Sequence, residues 1–181
     1  MDESVLADMD AARLRQYVAF LLYHYRVADA FWFLRVAERF GQPAAEALNE
    51  EVWERAGRLG ARAIVERLGV REQGLAGFVA AQRLYPWCLL LGYQFAQRDD
   101  EVILRVPRCA VQQARLDRGL GEYACKEMHR REFASFAGQI DPRLRVACCF
   151  APPDPHPPDC SCQWRFWLAS DAEAAASGPG G

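Results

Sequence analysis

The sequence predicts an α+β fold, with a helical N-terminal half followed by a ββαββ antiparallel sheet covered by helices. Apolar residues recur at helical spacing up to residue 84, then alternate with a period of two over 87–106 and 144–168, and a helical segment lies between these two stretches. We expect a helical region over 5–84 and a Cys-rich α+β region over 85–168, packed together as one domain. The tail over 169–181 is expected to be disordered.

Helical spacing divides the N-terminal half into four segments. The first two segments meet near residue 26. The second ends at Gly41, a residue type that suits a helix C-terminus. Gly57 and Gly60 weaken the third by about 1 kcal/mol each relative to alanine, so we expect a bend, a break or a close helix contact there. The fourth fits residues 74–84 and stops before Pro86.

Two hairpins form the predicted sheet. Residues 87–95 alternate as a strand with one strongly apolar face, and residues 102–106 form the return strand after a polar turn. Pro107 ends this pairing. Residues 144–150 and 162–168 alternate in the same way, which predicts a second hairpin with a long, proline-rich connection.

Composition and charge exclude several classes of protein. The formal net charge is -2, so no basic bias suggests a nucleic-acid partner. The acidic N-terminus lacks the basic start and apolar run of a secretory signal. No apolar stretch approaches the roughly 20 residues that a membrane span requires. We therefore expect a cytoplasmic protein without a membrane partner, in a compartment that keeps thiols reduced.

Six of the seven cysteines lie between residues 109 and 166. A disulfide framework is disfavoured by the odd number and the reducing compartment, which leaves core thiols, a metal site or a reactive thiol. Cys109 follows a strand end, Cys125 precedes a helix over 126–139, and Cys148 and Cys162 point to the apolar side if their strands pair. These four are the candidate ligands for zinc or iron. Simple core packing is the competing explanation, because free cysteines are often buried.

Cys125 is also the candidate nucleophile. It lies at a predicted helix N-terminus next to Lys126, and both features lower the pKa of a thiol. His156 lies in a loop with four prolines, where Asp154 could orient its imidazole as a general base. The alternatives are a buried cap residue at Cys125 and a solvated histidine on a rigid turn. His129 is interpreted as a surface or helix-packing residue.

Cationic side chains near this segment suggest an acidic small-molecule ligand. The candidate ligand-binding residues are Arg115, Lys126 and Arg143. Arginine forks bind carboxylates in bidentate fashion. Solvated arginines that balance neighbouring carboxylates are the alternative.

The second half also carries a set of spaced motifs. They are Cys109-x-x-Gln112, Gly119-Leu120-Gly121-Glu122-Tyr123-x-Cys125-Lys126, Ile140-Asp141-Pro142-Arg143, Cys148-x-x-x-Pro152-Pro153-Asp154-x-His156-Pro157 and Cys162-x-Trp164-x-Phe166. With them, the chain resembles a family of small bacterial and archaeal cytosolic proteins of uncharacterised function, over about residues 10–168. It is more distantly similar to the L-2-amino-thiazoline-4-carboxylic acid hydrolases, which pair N-terminal helices with a Cys-containing α+β half and open a cyclic amidine-like ring.

Three functions stay open at this stage. The first is a Cys-rich pocket that binds a metal or a small acidic ligand. The second, implied by the more distant resemblance, is a hydrolase of a C–N bond in a small cyclic substrate. Cys125 would then be its nucleophile or a metal ligand, and His156 its base. The third is a structural module in which the aromatic N-terminal helices form a homodimer.

Overall fold

The computed structural model of the protein describes residues 3–170. Its elements are α1 (Ser4–Ala7), α2 (Ala11–Phe40), α3 (Gln42–Leu68), α4 (Gly74–Arg83), α5 (Pro86–Leu91), β1 (Gln94–Gln97), β2 (Glu101–Val106), α6 (Ala110–Leu116), α7 (Lys126–Ile140), β3 (Leu144–Phe150) and β4 (Cys162–Leu168). The predicted class is confirmed, since a helical N-terminal half precedes a four-stranded antiparallel sheet.

The chain divides into two compact units, with the boundary after Ala45. This boundary lies inside α3, and helix α4 falls in the second unit. The reason is visible in α4, which contacts α7 and β4. Phe78 of α4 packs against Phe166 of β4 with ring centroids 4.1 Å apart. Residues 74–83 therefore belong to the unit that contains the sheet.

The first unit consists of α1, α2 and the start of α3. The two segments predicted to meet near residue 26 are one helix, because neither glycine nor proline interrupts residues 11–40. The Asp10 carboxylate accepts a hydrogen bond from the Arg13 N–H at 2.8 Å and caps this helix. No residue of α2 is buried, and Trp32 is 74% exposed. The homodimer stays a prediction, and these exposed apolar side chains are compatible with it.

The sheet has the strand order β1-β2-β4-β3, with all neighbours antiparallel. In the centre, Leu104 of β2 pairs with Trp164 of β4, and Trp164 pairs in turn with Cys148 of β3. The largest fully buried side chains of the core are mainly aromatic and include Phe78, Phe133, Phe136, Trp164 and Phe166. Each such buried side chain stabilises the fold by about 1.5–3 kcal/mol. The second predicted hairpin is confirmed as β3 and β4.

The strand predicted over residues 87–95 is wrong over most of its length. Residues Pro86–Leu91 form helix α5, and β1 begins only at Gln94. Pro86 occupies the first turn, where its missing N–H costs nothing. Gly92 ends the helix in the left-handed conformation, with φ at 62° and ψ at 53°. A short apolar run bounded in this way fits a buried helix as well as a strand, and the end signals decide between them.

The two glycines of α3 mark a close contact instead of a break. The helix runs without interruption from Gln42 to Leu68. A Cβ atom at Gly57 would lie 2.9 Å from the backbone oxygen of Glu132, and one at Gly60 would lie 2.9 Å from the ring of Tyr85. Of the three alternatives for this position, the close helix contact is confirmed. Its consequence is that Tyr85 and Glu132 are packed next to the same helix.

The predicted tail over 169–181 lies mostly outside the described residues, from 171 onward. Ala169 is described and is not disordered, because its N–H donates to the carbonyl oxygen of Arg143 at 2.8 Å. Its side chain is 7% exposed.

Candidate functional site

A small cavity lies inside the unit that begins at residue 46. Its lining is Leu91, Tyr93, Val106, Cys109, Gln112, Cys125, His129, Phe133, Pro152, Ser161 and Cys162. Three of the four predicted sulfur ligands therefore line one cavity, and Cys148 is outside this lining. The space open to the centre of a water molecule is about 10 Å³, which is room for about one water.

The ends of four elements bring the three thiols together. Cys109 is the N-cap residue of α6, directly after β2, and Cys125 is the N-cap residue of α7. Cys162 opens β4 and pairs with Val106, the last residue of β2. Ser161 fixes this arrangement, since its Oγ accepts from the Cys109 N–H at 3.0 Å and its N–H donates to the Val106 carbonyl oxygen at 2.8 Å.

Gln112 of α6 holds the segment that leads to Cys125. Its Nε2 donates to the Tyr123 carbonyl oxygen at 2.9 Å and to the Cys125 Sγ at 3.3 Å. The Tyr123 N–H donates to the Gln112 Oε1 at 3.1 Å. Gln112 is 3% exposed, so all of these groups pair away from solvent. The Cys125 sulfur is thereby fixed in the cavity with an N–H donor aimed at it.

His129 follows Cys125 by one helical turn and is the histidine of this cavity. The backbone N–H of His129 donates to the Cys125 carbonyl oxygen at 3.0 Å. The side chains of the two residues therefore lie on the same face of α7. The His129 Nδ1 lies 2.8 Å from Oε2 of Glu132. In the tautomer in which Nδ1 carries the proton and donates it to Glu132, Nε2 is left as an acceptor. The expectation of a surface or helix-packing histidine missed this arrangement.

Glu132 is buried, with 1% exposure, and is bound from two sides. Besides the contact with His129, its Oε1 accepts a hydrogen bond from the Tyr85 hydroxyl at 3.0 Å. A signal for this set exists in the sequence, because Cys125, His129 and Glu132 have the i, i+4, i+7 spacing of one helix face.

The cavity thiols are protonated at neutral pH. Burial and, to a smaller extent, the nearby Cys109 raise the pKa of Cys125 to about 12, against the lowering effect of the hydrogen bond from Gln112. Burial also raises the pKa of Cys109 and that of Cys162. The prediction of a lowered pKa at Cys125 is wrong, because desolvation outweighs the helix N-terminus.

A comparison with protein families identifies the family to which the chain belongs. A family model described as Family of unknown function (DUF6125) matches residues 13–168. The chain belongs to this family. A comparison with curated proteins finds no match, and neither does a comparison with solved structures. The expected membership of an uncharacterised family is confirmed at this level, and the similarity to hydrolases stays a prediction.

The predicted contact in which Asp154 orients His156 as a general base is not formed in this DUF6125 protein. The Asp154 Oδ2 is bound by the Lys126 Nζ at 2.7 Å. The His156 Nε2 lies 3.1 Å from Oε1 of Glu122, and its Nδ1 lies 3.2 Å from the Pro157 oxygen. Neither His156 nor Asp154 lines the cavity. Glu122, and not Asp154, is the carboxylate partner of His156.

The three predicted ligand-binding cations are outside the cavity lining and are engaged by the protein. The Arg115 Nε donates to the Gly121 oxygen at 3.0 Å, and Lys126 pairs with Asp154. Arg143 binds Asp141 through two nitrogens, at 3.0 and 2.8 Å. Asp141 caps the far end of α7, whose 15 residues span about 22 Å. A small ligand at Cys125 therefore does not reach Arg143.

Cys148 lies on the predicted face of β3, opposite Trp164, next to an irregularity in the strand pairing. It is half-buried, and burial raises its pKa to about 11. Within residues 3–170, no group of three or more His, Cys, Asp or Glu side chains is arranged to hold a metal ion. Across the same residues, no helix has the length and apolar character needed to cross a membrane.

Proposed function

We propose that this chain is a cysteine-dependent hydrolase of a C–N bond in a small cyclic substrate. Cys125 is the nucleophile, His129 is the general base, and Glu132 orients His129. One observation carries the proposal. Cys125 and His129 lie one turn apart on α7, line the same cavity, and have a buried carboxylate 2.8 Å behind the imidazole.

The raised pKa of Cys125 defines what the base must do. With a pKa of about 12, the thiol is protonated at neutral pH and is a poor nucleophile until its proton is removed. The His129 Nε2 accepts that proton while Nδ1 stays bound to Glu132. The Gln112 Nε2–H, 3.3 Å from the sulfur, stabilises the thiolate that forms.

The reaction then proceeds in two steps. In the first, Sγ bonds to the amidine-like carbon, the C–N bond breaks, and the proton on His129 passes to the leaving nitrogen. In the second, His129 takes a proton from a water molecule, the hydroxyl bonds to the same carbon, and the C–S bond breaks to return the thiol. The number of protons on the enzyme is the same before and after the cycle.

The cavity disfavours the acidic ligand expected from the sequence. Its lining contains no lysine or arginine. Leu91, Val106, Phe133 and Pro152 provide apolar walls. A carboxylate placed here would lose its hydration without gaining a cation, which is costly. The part of the substrate that enters the cavity is therefore not a carboxylate, and any carboxylate stays outside.

A soft-metal site is the second candidate function. The observation that favours it is an imidazole tied to a carboxylate on a cavity with three thiols, which is a common ligand environment for zinc. Zinc binding would require Cys109, Cys125, Cys162 and His129 to move closer together. Elemental analysis of protein purified without chelator separates the two functions, since about one zinc or iron per chain supports the metal site.

Variants of two cysteines test the hydrolase directly. We expect Cys125→Ser to lower the turnover of small cyclic amidines at least about 100-fold, because an alcohol is a weaker nucleophile and proton donor here. Cys149→Ser is the matched control, since Cys149 is exposed and outside the cavity lining. Equal activity of both variants would rule out Cys125 as nucleophile. Loss of a bound metal in Cys109→Ser and Cys125→Ser would favour the second candidate.

A further inference from the structure

Residues 151–161 connect β3 to β4 and form one wall of the cavity; we call this segment the strap. We propose that the strap is a gate over Cys125, held closed by an ion pair and a histidine–carboxylate contact, which opens to admit the substrate. The proposal rests on the proposed function, because it concerns entry to the same site. Pro152 and Ser161 are the strap residues that line the cavity.

Two side-chain contacts, an ion pair and a histidine–carboxylate contact, hold the strap to the chain on either side of Cys125. Lys126, directly after Cys125, binds Asp154 at 2.7 Å. Glu122, three residues before Cys125, lies 3.1 Å from the His156 Nε2. The Lys126 N–H also donates to the Pro152 oxygen at 3.1 Å. The residues that hold the gate closed therefore bracket the proposed nucleophile.

The cavity must open for any organic substrate to reach Cys125. Its space holds about one water, which is smaller than any cyclic amidine. Much of its wall belongs to β2, β4, α6 and α7, whose backbones are paired within helices and strands. The strap is neither helix nor strand. Its few backbone hydrogen bonds include those from the Asp154 N–H to the Ala151 oxygen and from the Lys126 N–H to the Pro152 oxygen, so the strap can move without breaking a helix or a strand pairing.

The contacts of the strap define which part moves. At its C-terminal end, Ser161 is bound to Val106 and Cys109 through two hydrogen bonds. At the other end, Ala151 is buried, with 0% exposure. Four prolines between residues 152 and 157 limit internal rearrangement, so this portion moves as a unit. Both contacts are partly exposed, and such contacts stabilise weakly enough to break and reform.

The rate at which iodoacetamide alkylates each cysteine tests the gate without knowledge of the substrate. We compare the native protein with the double variant Asp154→Asn, His156→Gln, and measure each cysteine by peptide mass spectrometry. This variant removes both contacts but keeps Glu122, whose carboxylate itself raises the pKa of Cys125. We expect alkylation of Cys125 to become about 3- to 10-fold faster, because the ordinary contribution of such pairs corresponds to factors of this size. Arg62→Gln, which breaks the exposed pair with Glu66, is the matched control and leaves the rate unchanged.

Two reporter cysteines separate gate opening from unfolding. Cys88 is buried and outside the cavity lining, and Cys149 is exposed. Faster alkylation at Cys125 with unchanged rates at these two supports the gate. An unchanged rate at Cys125, or equal acceleration at Cys88, overturns it. Faster alkylation at Cys125 in a protein that hydrolyses no cyclic amidine would leave the gate standing and reject the proposed hydrolase alone.

Discussion

His129 and Glu132 lie three residues apart on α7, and their Nδ1 and Oε2 atoms are 2.8 Å apart. This contact sets the orientation of the imidazole toward the cavity. We expect Glu132→Gln to lower kcat of the hydrolysis about 10- to 100-fold with a small change in KM, because the tautomer and the imidazolium lose their support. Steady-state kinetics measure the effect.

Tyr85 provides the graded control for Glu132. Its hydroxyl donates to Oε1 of that carboxylate at 3.0 Å, so Tyr85→Phe removes one hydrogen bond but keeps the contact with His129. We expect a smaller loss of kcat than for Glu132→Gln. A loss of activity in Tyr85→Phe that equals that of Glu132→Gln would show that the carboxylate acts through packing and not through His129.

The contribution of Gln112 to stability can be tested against Gln113, the next residue along the chain. We expect Gln112→Ala to lower the free energy of unfolding by about 1–3 kcal/mol, because the buried N–H and oxygen of Tyr123 lose their partners. The Gln113 Nε2 donates to the Asp117 Oδ1 at 2.8 Å, in an exposed position. Gln113→Ala should therefore cost less than about 0.5 kcal/mol. Urea unfolding measures both, and equal losses would contradict this role for Gln112.

The convergence of three sulfurs could be predicted from the sequence because each lies at the end of an element. A strand end at Pro107, a helix start at Lys126 and a strand start at Cys162 are local signals. The same signals could not exclude Cys148. This residue lies on the predicted face of β3, but at a position along the strand that does not line the cavity. Local spacing fixes the face of a strand, whereas distance along the strand depends on how the elements pack.

The predicted contact between Asp154 and His156 is absent for a different reason. Asp154 and His156 are two residues apart, yet their partners, Lys126 and Glu122, come from a segment about thirty residues earlier. The sign of the pKa shift at Cys125 was missed because burial by β4 and α6 is a tertiary effect, and it exceeds the local influence of the helix end. Helix periodicity indicates that His129 and Glu132 share a face with Cys125. It gives no indication that the Tyr85 hydroxyl donates a hydrogen bond to Glu132.

The close contact between α3 and α7 predicts opposite effects for two Gly→Ala substitutions. A methyl group at Gly57 would lie 2.9 Å from the Glu132 oxygen, so we expect Gly57→Ala to destabilise the fold by about 1–3 kcal/mol. A methyl group at Gly138, within α7, would meet no atom of another element within 4 Å among residues 3–170. Gly138→Ala should stabilise by about 0.5–1 kcal/mol. Thermal unfolding of both proteins measures this, and two changes of the same sign would reject the helix contact.

Asp141 predicts the acid dependence of stability. Hydrogen bonds from Arg143 hold the pKa of this buried carboxyl below its usual range, and the Gly74 N–H also donates to it, at 3.1 Å. A folded-state pKa below the unfolded value of about 3.9 means that the ionised group stabilises the fold above that pH. This contribution is lost as the pH falls through the folded pKa. We expect Asp141→Asn to be less stable than the native protein at pH 7 and to lose less stability between about pH 4 and pH 2.

Thermal unfolding of the native protein and Asp141→Asn across this range checks the sign. Asp154 is the control, because its pKa is also lowered, by Lys126, but its side chain is partly exposed. Solvent weakens that pair, so Asp154→Asn should change the pH profile less than Asp141→Asn does. Parallel profiles for the native protein and Asp141→Asn would show that the Asp141–Arg143 pair does not link protonation to folding. The cap that Asp141 provides for α4 would then act through geometry, independent of its charge.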